Sequence, residues 1–188
     1  MEVEIRLADP NRDAAGVAGI YRSAVERTIA SFETEPPDDE EMARRMRTVL
    51  VRLPWLVAVS GGEVVGYAYA GRHRERAAYR WSVDVSAYIR EGNRGRRIGR
   101  SLYERLIAIL GRQGFANAYA GIALPNPASV ALHEAIGMRL IGVYEQVGWK
   151  LGAWHDVAWY GMRLGEPALA DTGGPREPAP VAADTASD

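Results

Sequence analysis

Cysteine is missing from all 188 residues, which removes disulfides, thiolate nucleophiles and cysteine-held metals from consideration. Charge of one sign is also missing, since 23 basic residues stand against 24 acidic ones. A balance so close to neutral gives no electrostatic grip on nucleic acid or an anionic membrane, and neither is expected as a partner. No apolar run approaches the ~20 residues of a membrane span. The chain does not open on a basic segment leading into an apolar one, so the expected location is the cytoplasm. Lysine is almost absent; Lys150 is the single one, and this reads as a nucleotide-composition bias. His73, His133 and His155 are too scattered for metal-ligand spacing, so no metal is expected.

What is present suits one domain, and a chain of this length buries about two thirds of its unfolded surface. Composition shifts after Leu164. Gly165 to Asp188 is rich in Pro, Ala, Gly and Asp and is expected to be a disordered or loosely draped tail, leaving residues 1–164 as the folded unit. Val3, Ile5 and Leu7 alternate with charged residues, as in a half-buried strand. Helical spacing follows over Asn11 to Thr28. A second helix is expected after Pro37, with acids at its start and arginines toward its end. Trp55–Ser60 and Val64–Ala70 flank Gly61-Gly62 as a hairpin. Trp81 to Ile89 puts Trp81, Val83, Val85, Ala87 and Ile89 on one face, with Ser82, Asp84, Ser86 and Tyr88 on the other. A Gly- and Arg-rich turn leads into a helix, followed by a strand near Ala118–Ile122, a helix over Pro127–Ile136 and two last strands. The order β-α-α-β-β-β-α-β-α-β-β is that of an α/β protein with a mixed sheet.

The strongest local signal is the turn Arg94-Gly95-Arg96-Arg97-Ile98-Gly99-Arg100 between strand and helix. Free backbone N–H groups at a helix start, joined by arginines, suit a pyrophosphate. The same pattern also fits an exposed basic helix start. It is neither a P-loop, which needs Gly-Lys-Ser/Thr, nor a dinucleotide fingerprint after the first strand.

Several further stretches stand in collinear order: Phe32-Glu33-Thr34-Glu35-Pro36, Pro54-Trp55-Leu56-Val57-Ala58, Gly66 to Gly71, Ala78-Tyr79-Arg80-Trp81, Leu124-Pro125-Asn126 with Ser129, His133-Glu134-Ala135 with Gly137, and Gly148 to Val157. Together they resemble the GNAT superfamily of N-acetyltransferases, and more narrowly its phosphinothricin and methionine sulfoximine acetyltransferases. The resemblance implies a GNAT fold, with a mostly antiparallel sheet splayed beside its fourth strand and flanked by helices. It implies acetyl-CoA as co-substrate. Backbone groups of Ala87, Tyr88 and Ile89 would meet the pantetheine arm and thioester. Arg94, Gly95, Arg96, Arg97, Ile98, Gly99 and Arg100 would hold the pyrophosphate, and Asn126 the pantetheine, with Ser129 nearby. Arg97 departs from the motif, which has glycine there.

The resemblance further makes Asp84 the general base in place of the subfamily's glutamate, and His133 the acid or relay. Phe32 and Thr34 would line one wall of the acceptor site, and Arg74 and Tyr79 the other. A guanidinium such as Arg74 pairs well with a carboxylate or phosphinate. His73 replaces a tryptophan. Trp149, Trp154, Trp159 and Tyr160 are expected to serve core and dimer packing, and a homodimer is expected. The reaction implied is transfer of acetyl to the primary amine of a small amino-acid-like molecule. A peptide N-terminus, polyamine or antibiotic is the alternative acceptor, and a non-catalytic acyl-CoA-binding dimer the alternative of another class. Trp154-His155-Asp156 does not complete a hydrolase triad, because neighbouring strand residues face opposite ways and no serine is near.

Overall fold

The first two helices begin where their capping chemistry dictates. In the computed structural model, which describes residues 2–171 and 173–181, β1 (Glu4–Leu7) runs into α1 (Pro10–Arg27). The Asp9 carboxylate accepts from the Asn11 N–H, with Pro10 at the first helical position. Asp38 caps α2 (Asp39–Leu50) in the same way, accepting from Glu41 N–H, and three acids fill the first turn. The remaining elements are β2 (Trp55–Ser60), β3 (Glu63–Arg72), β4 (Ser82–Ile89), α3 (Ile98–Gln113), β5 (Asn117–Ala123), α4 (Pro127–Ala135), β6 (Arg139–Lys150) and β7 (Ala153–Arg163). The expected order is observed. β4 starts one residue later than expected, because Trp81 belongs to the loop, where its Nε1–H donates to the Arg176 carbonyl.

The seven strands form one sheet in the order β1-β2-β3-β4-β5-β7-β6, antiparallel except for β4 and β5. Its two faces carry two cores. On one, Leu102, Leu106, Ile109 and Leu110 of α3 pack on Val83, Val85, Ala118 and Ala120. On the other, α1 and α2 cover Trp55, Val57 and Tyr67 with Val17, Val25, Met42 and Met46. The alternation along β4 feeds the first core with Val83 and Val85 and points Asp84 away from it.

The parallel β4–β5 pairing is short. It joins Ser82 to Asn117, Val83 to Ala118 and Asp84 to Tyr119, and stops there. β4 continues beside β3 as far as Ile89, while β5 continues beside β7 as far as Ala123. The strands therefore diverge just past Asp84, and the β4 edge from Val85 onward has no strand partner on that side.

The aromatics of the last two strands divide between core and surface. Tyr160 is buried in the core, but Trp149 and Trp154 are 59% and 57% exposed. They face each other across the β6–β7 hairpin, ring centroids 5.4 Å apart, where that hairpin extends past the packed body of the sheet. Within the segment after Leu164, residues 176–181 lie against the body. Ala179 exchanges hydrogen bonds with Gln113, and Pro178 accepts from Arg52. Residues 182–188, also part of the expected tail, lie outside the described residues. No described helix is long and apolar enough to cross a membrane.

Candidate active site

A cavity of about 1040 Å³ opens where β4 and β5 part. Its walls are α1, the free edge of β4, the turn into α3, the end of β5 and α4. Of the residues expected to meet acetyl-CoA, Ala87, Tyr88, Ile89, Arg94, Gly95, Arg97, Ile98, Gly99, Arg100, Asn126 and Ser129 all line it; Arg96 does not. Gly99 lets α3 approach α4 closely, since a Cβ there would stand 3.1 Å from Leu132 Cδ2.

The turn into α3 is shaped for an anion. Gly95 and Arg97 both take left-handed backbone angles, φ 76° and 62°. Arg97 is the N-cap residue, yet no side chain caps the helix, so its first N–H groups stay available. The first turn holds no acid, and the exposed side chains of Arg94, Arg96 and Arg97 form no ion pair with described residues. A left-handed angle explains why glycine suits position 97; arginine there accepts strain of about 1 kcal/mol, with its side chain exposed at the cavity rim.

Asp84 stands at the vertex of the splay. Its Oδ1 accepts from His73 Nδ1–H at 2.6 Å. Burial raises the carboxyl pKa above the ordinary carboxylate value, and the bond from His73 and the charge of Arg74 only partly offset it. The His73 ring lies 4.6 Å from Tyr119, 5.9 Å from Tyr79 and 6.3 Å from Trp159. Arg74 sits over Trp159, its Cζ 5.7 Å from the ring centroid. Arg74, Tyr79 and Asp84 are thus brought together, with His73 as the piece that joins them. Arg74 and Tyr79 also line a second, smaller hollow of about 360 Å³.

Phe32 lies elsewhere on the same side of the sheet, packed over Gly148, where any Cβ would fall 2.3 Å from its ring. Its ring centroid is 6.4 Å from that of His155, and Thr34 is exposed beside it. The loop carrying Phe32 is tied down from two directions. Lys150, 6% exposed, donates to the carbonyls of Ser31 and Glu33. The Glu33 carboxylate accepts from Arg45 and from the Tyr21 hydroxyl.

His133 is buried on α4 and faces the cavity. Its Nδ1–H donates to the Ser129 carbonyl at 2.7 Å, and its Nε2 accepts from the Tyr103 hydroxyl at 3.0 Å. Burial lowers its pKa, the Ser129 contact offsetting this in part, so the imidazole is neutral at pH 7. The Tyr103 hydroxyl, held well above its usual range by burial, also lines the cavity. The Asn126 side chain accepts from Ser129 N–H as the cap of α4.

Sequence reasoning missed Tyr103, Lys150 and the tie between His73 and Asp84. A signal for the last existed. Gly71 pairs with Asp84 across β3–β4, so a residue two positions beyond Gly71 falls on the Asp84 face.

Known proteins resemble the chain over almost its whole length. The family model described as an acetyltransferase (GNAT) domain matches residues 5–159. A phosphinothricin N-acetyltransferase of Streptomyces viridochromogenes is 38% identical over 166 residues, 88% of this chain and 90% of that protein. A methionine sulfoximine/methionine sulfone acetyltransferase of Salmonella typhimurium is 35% identical over 168 residues, 89% of this chain and 98% of that one. The crystal structure of a phosphinothricin acetyltransferase from Sinorhizobium meliloti, in complex with acetyl-CoA, superposes with a TM-score of 0.87 at 36% identity. It covers 95% of this chain and 96% of the other.

Proposed function

Because the chain belongs to the GNAT acetyltransferase family and is an acetyl-CoA-dependent N-acetyltransferase, we propose that its acceptor is the primary amine of a small amino-acid-like molecule, of the kind phosphinothricin and methionine sulfoximine represent. The observation that carries this reading is Asp84, a partly buried carboxylate at the point where the sheet opens beside the large cavity. Arg74, stacked over Trp159 and close enough to Asp84 to influence it, offers the charge that an acceptor carboxylate or phosphinate needs.

In this reading acetyl-CoA lies in the cavity, its pyrophosphate on the N–H groups at the start of α3 and on the arginines around Gly95. Asn126 and Ser129 meet the pantetheine arm. The free backbone of β4 at Ala87–Ile89 orients the thioester and supplies N–H groups to the oxyanion formed on attack. The amine reaches the thioester from the Asp84 face, between the walls formed by Phe32 with Thr34 and by Arg74 with Tyr79. An ammonium is not a nucleophile, so Asp84 draws off its proton. His133, neutral and buried, brings no spare proton to the leaving thiolate. Its Nε2 lone pair can take up a proton passed from the cavity through the Tyr103 hydroxyl, which is the direction of relay this hydrogen bond allows.

A second copy of the chain completes the assembly in this reading. Leu140, Ile141, Val143, Tyr144, Val147 and Trp154 are exposed on the β6–β7 hairpin, and such a group of exposed apolar side chains suits a protein–protein contact. Sedimentation should give a dimer, and Ile141→Glu a monomer.

Free-thiol release from acetyl-CoA, measured over phosphinothricin, methionine sulfoximine, common amino acids, polyamines and short peptides, tests the acceptor. Turnover confined to the first two and their close analogues is expected. Release only with polyamines or peptides would overturn the reading.

A further inference from the structure

The shortest contact that Asp84 makes is to an imidazole. His73 Nδ1 lies 2.6 Å from Oδ1. His73 follows the end of β3, on the same face as Asp84, and its side chain is 15% exposed against 32% for Asp84. With Nδ1–H donated to the carboxylate, Nε2 carries the lone pair, and it bonds to no described residue. The ring is held flat by its neighbours, tilted 33° to Tyr119 at 4.6 Å and edge-on to Trp159. Beside the pair the wall is open. Gly71 stands directly across from Asp84, and a Cβ placed on it would meet nothing within 4 Å.

A carboxylate that fixes one imidazole nitrogen as a donor turns the other into an oriented base and stabilises the cation formed when that base is protonated. Imidazole is also better matched than a carboxylate to taking a proton near neutral pH. We propose that His73 and Asp84 form a proton-accepting dyad, in which His73 Nε2 receives the proton of the acceptor ammonium and Asp84 orients and charge-stabilises the ring.

This rests on the N-acetyltransferase reading and relocates its base. The ammonium N–H bond breaks and its proton moves to Nε2, directly or through one water. The freed amine pair forms the C–N bond, and collapse of the tetrahedral intermediate breaks C–S, sending that electron pair to sulfur. The second amine proton leaves with the thiolate as thiol, and the imidazolium returns its proton to solvent. The other titratable or charged groups facing the dyad are Tyr69 from β3, Arg74 and Tyr79 from the loop after it, and Tyr119 from β5.

The test is the pH dependence of kcat/KM for the wild type and His73→Gln, which keeps a donor toward Asp84 but cannot titrate. It is recorded on whichever amine of the acceptor panel turns over. The dyad predicts that kcat falls at least 30-fold while the acetyl-CoA Kd stays within 3-fold. It also predicts that the acid limb of the profile moves by a pH unit or more. An acid limb that keeps its position in His73→Gln overturns the dyad and leaves Asp84 as the lone base. A readout without substrate separates this from failure of the acetyl-transfer reading. The short-bonded Nδ1 proton should give a far-downfield NMR signal in the wild type that vanishes in both His73→Gln and Asp84→Asn. Its absence from the wild type overturns the dyad even if every amine is inert.

Discussion

Lys150 Nζ donates to the Ser31 carbonyl at 2.6 Å, across 119 positions of sequence, and to the Glu33 carbonyl at 2.9 Å. The end of β6 thereby holds the loop between α1 and α2 in place over Gly148. Burial lowers the Lys150 pKa, and the Glu33 charge offsets part of the effect, so the ammonium is held by that charge and by the two carbonyls it serves.

Replacing Lys150 by Met leaves those carbonyls without a donor and frees the Phe32 wall. The expected result is a 5- to 20-fold rise in the acceptor KM with kcat and the acetyl-CoA Kd nearly unchanged. An unfilled buried polar group costs about 1–3 kcal/mol, so the thermal midpoint should also fall by several degrees. Steady-state kinetics with each substrate varied in turn checks the split.

Arg97 offers the opposite trade. It takes a left-handed backbone angle that glycine adopts without strain. Arg97→Gly should therefore stabilise the fold by about 1 kcal/mol, roughly 2–4 °C in the thermal midpoint for a chain of this size. If the backbone N–H groups hold the pyrophosphate, the acetyl-CoA Kd should weaken by no more than about 3-fold. Calorimetric titration beside a thermal scan reads both.

Asp13 is 1% exposed and accepts from the two terminal nitrogens of the Arg6 guanidinium at 2.7 Å. Burial alone would raise its carboxyl pKa. The Arg6 bonds and the Asp9 N–H outweigh it, leaving the carboxyl below its usual 3.8. A folded pKa below the unfolded one gives stability that is present above about pH 4 and lost as pH falls through the folded value. Asp13→Asn strands a half-buried guanidinium and should cost about 3–5 kcal/mol near neutral pH. The gap in thermal midpoint between wild type and variant should hold from pH 5 to 8 and narrow below pH 4. Thermal scans across that range decide it.

Much of this arrangement is legible in the sequence, because local chemistry specifies it. Asp9 with Pro10, and Asp38 followed by acids, fix two helix starts. Alternation through Val83, Asp84 and Val85 decides which face of β4 holds the carboxylate, and Gly95 with the arginines marks the turn into α3. What escaped is tertiary. Nothing near Tyr103 signals that its hydroxyl meets a histidine 30 residues on. The solitary Lys150 reads as composition until the fold brings it to Ser31. Tryptophans usually read as core, yet Trp149 and Trp154 stand exposed because the hairpin outruns the sheet that would cover them. The tail looked unable to bury much, and its described residues do attach largely through backbone carbonyls, at Arg176, Pro178 and Ala179, which composition cannot foretell.

The account depends most on the Asp84 carboxylate, where the strands part, being needed to draw the proton from the amine, whether it takes that proton itself or through His73. The direct measurement is thiol release from acetyl-CoA by Asp84→Asn on the best amine of the panel, with acetyl-CoA binding and thermal stability measured on the same samples. Burial raises the Asp84 pKa, so its ionised form costs folding free energy at pH 7, and the stability this carboxyl contributes appears only as pH falls. The amide should therefore fold with a thermal midpoint no lower than the wild type and bind acetyl-CoA as well. The account predicts a fall in kcat of at least about 100-fold, the scale of a lost general base. Turnover within 3-fold of the wild type, with acetyl-CoA still bound, would contradict it.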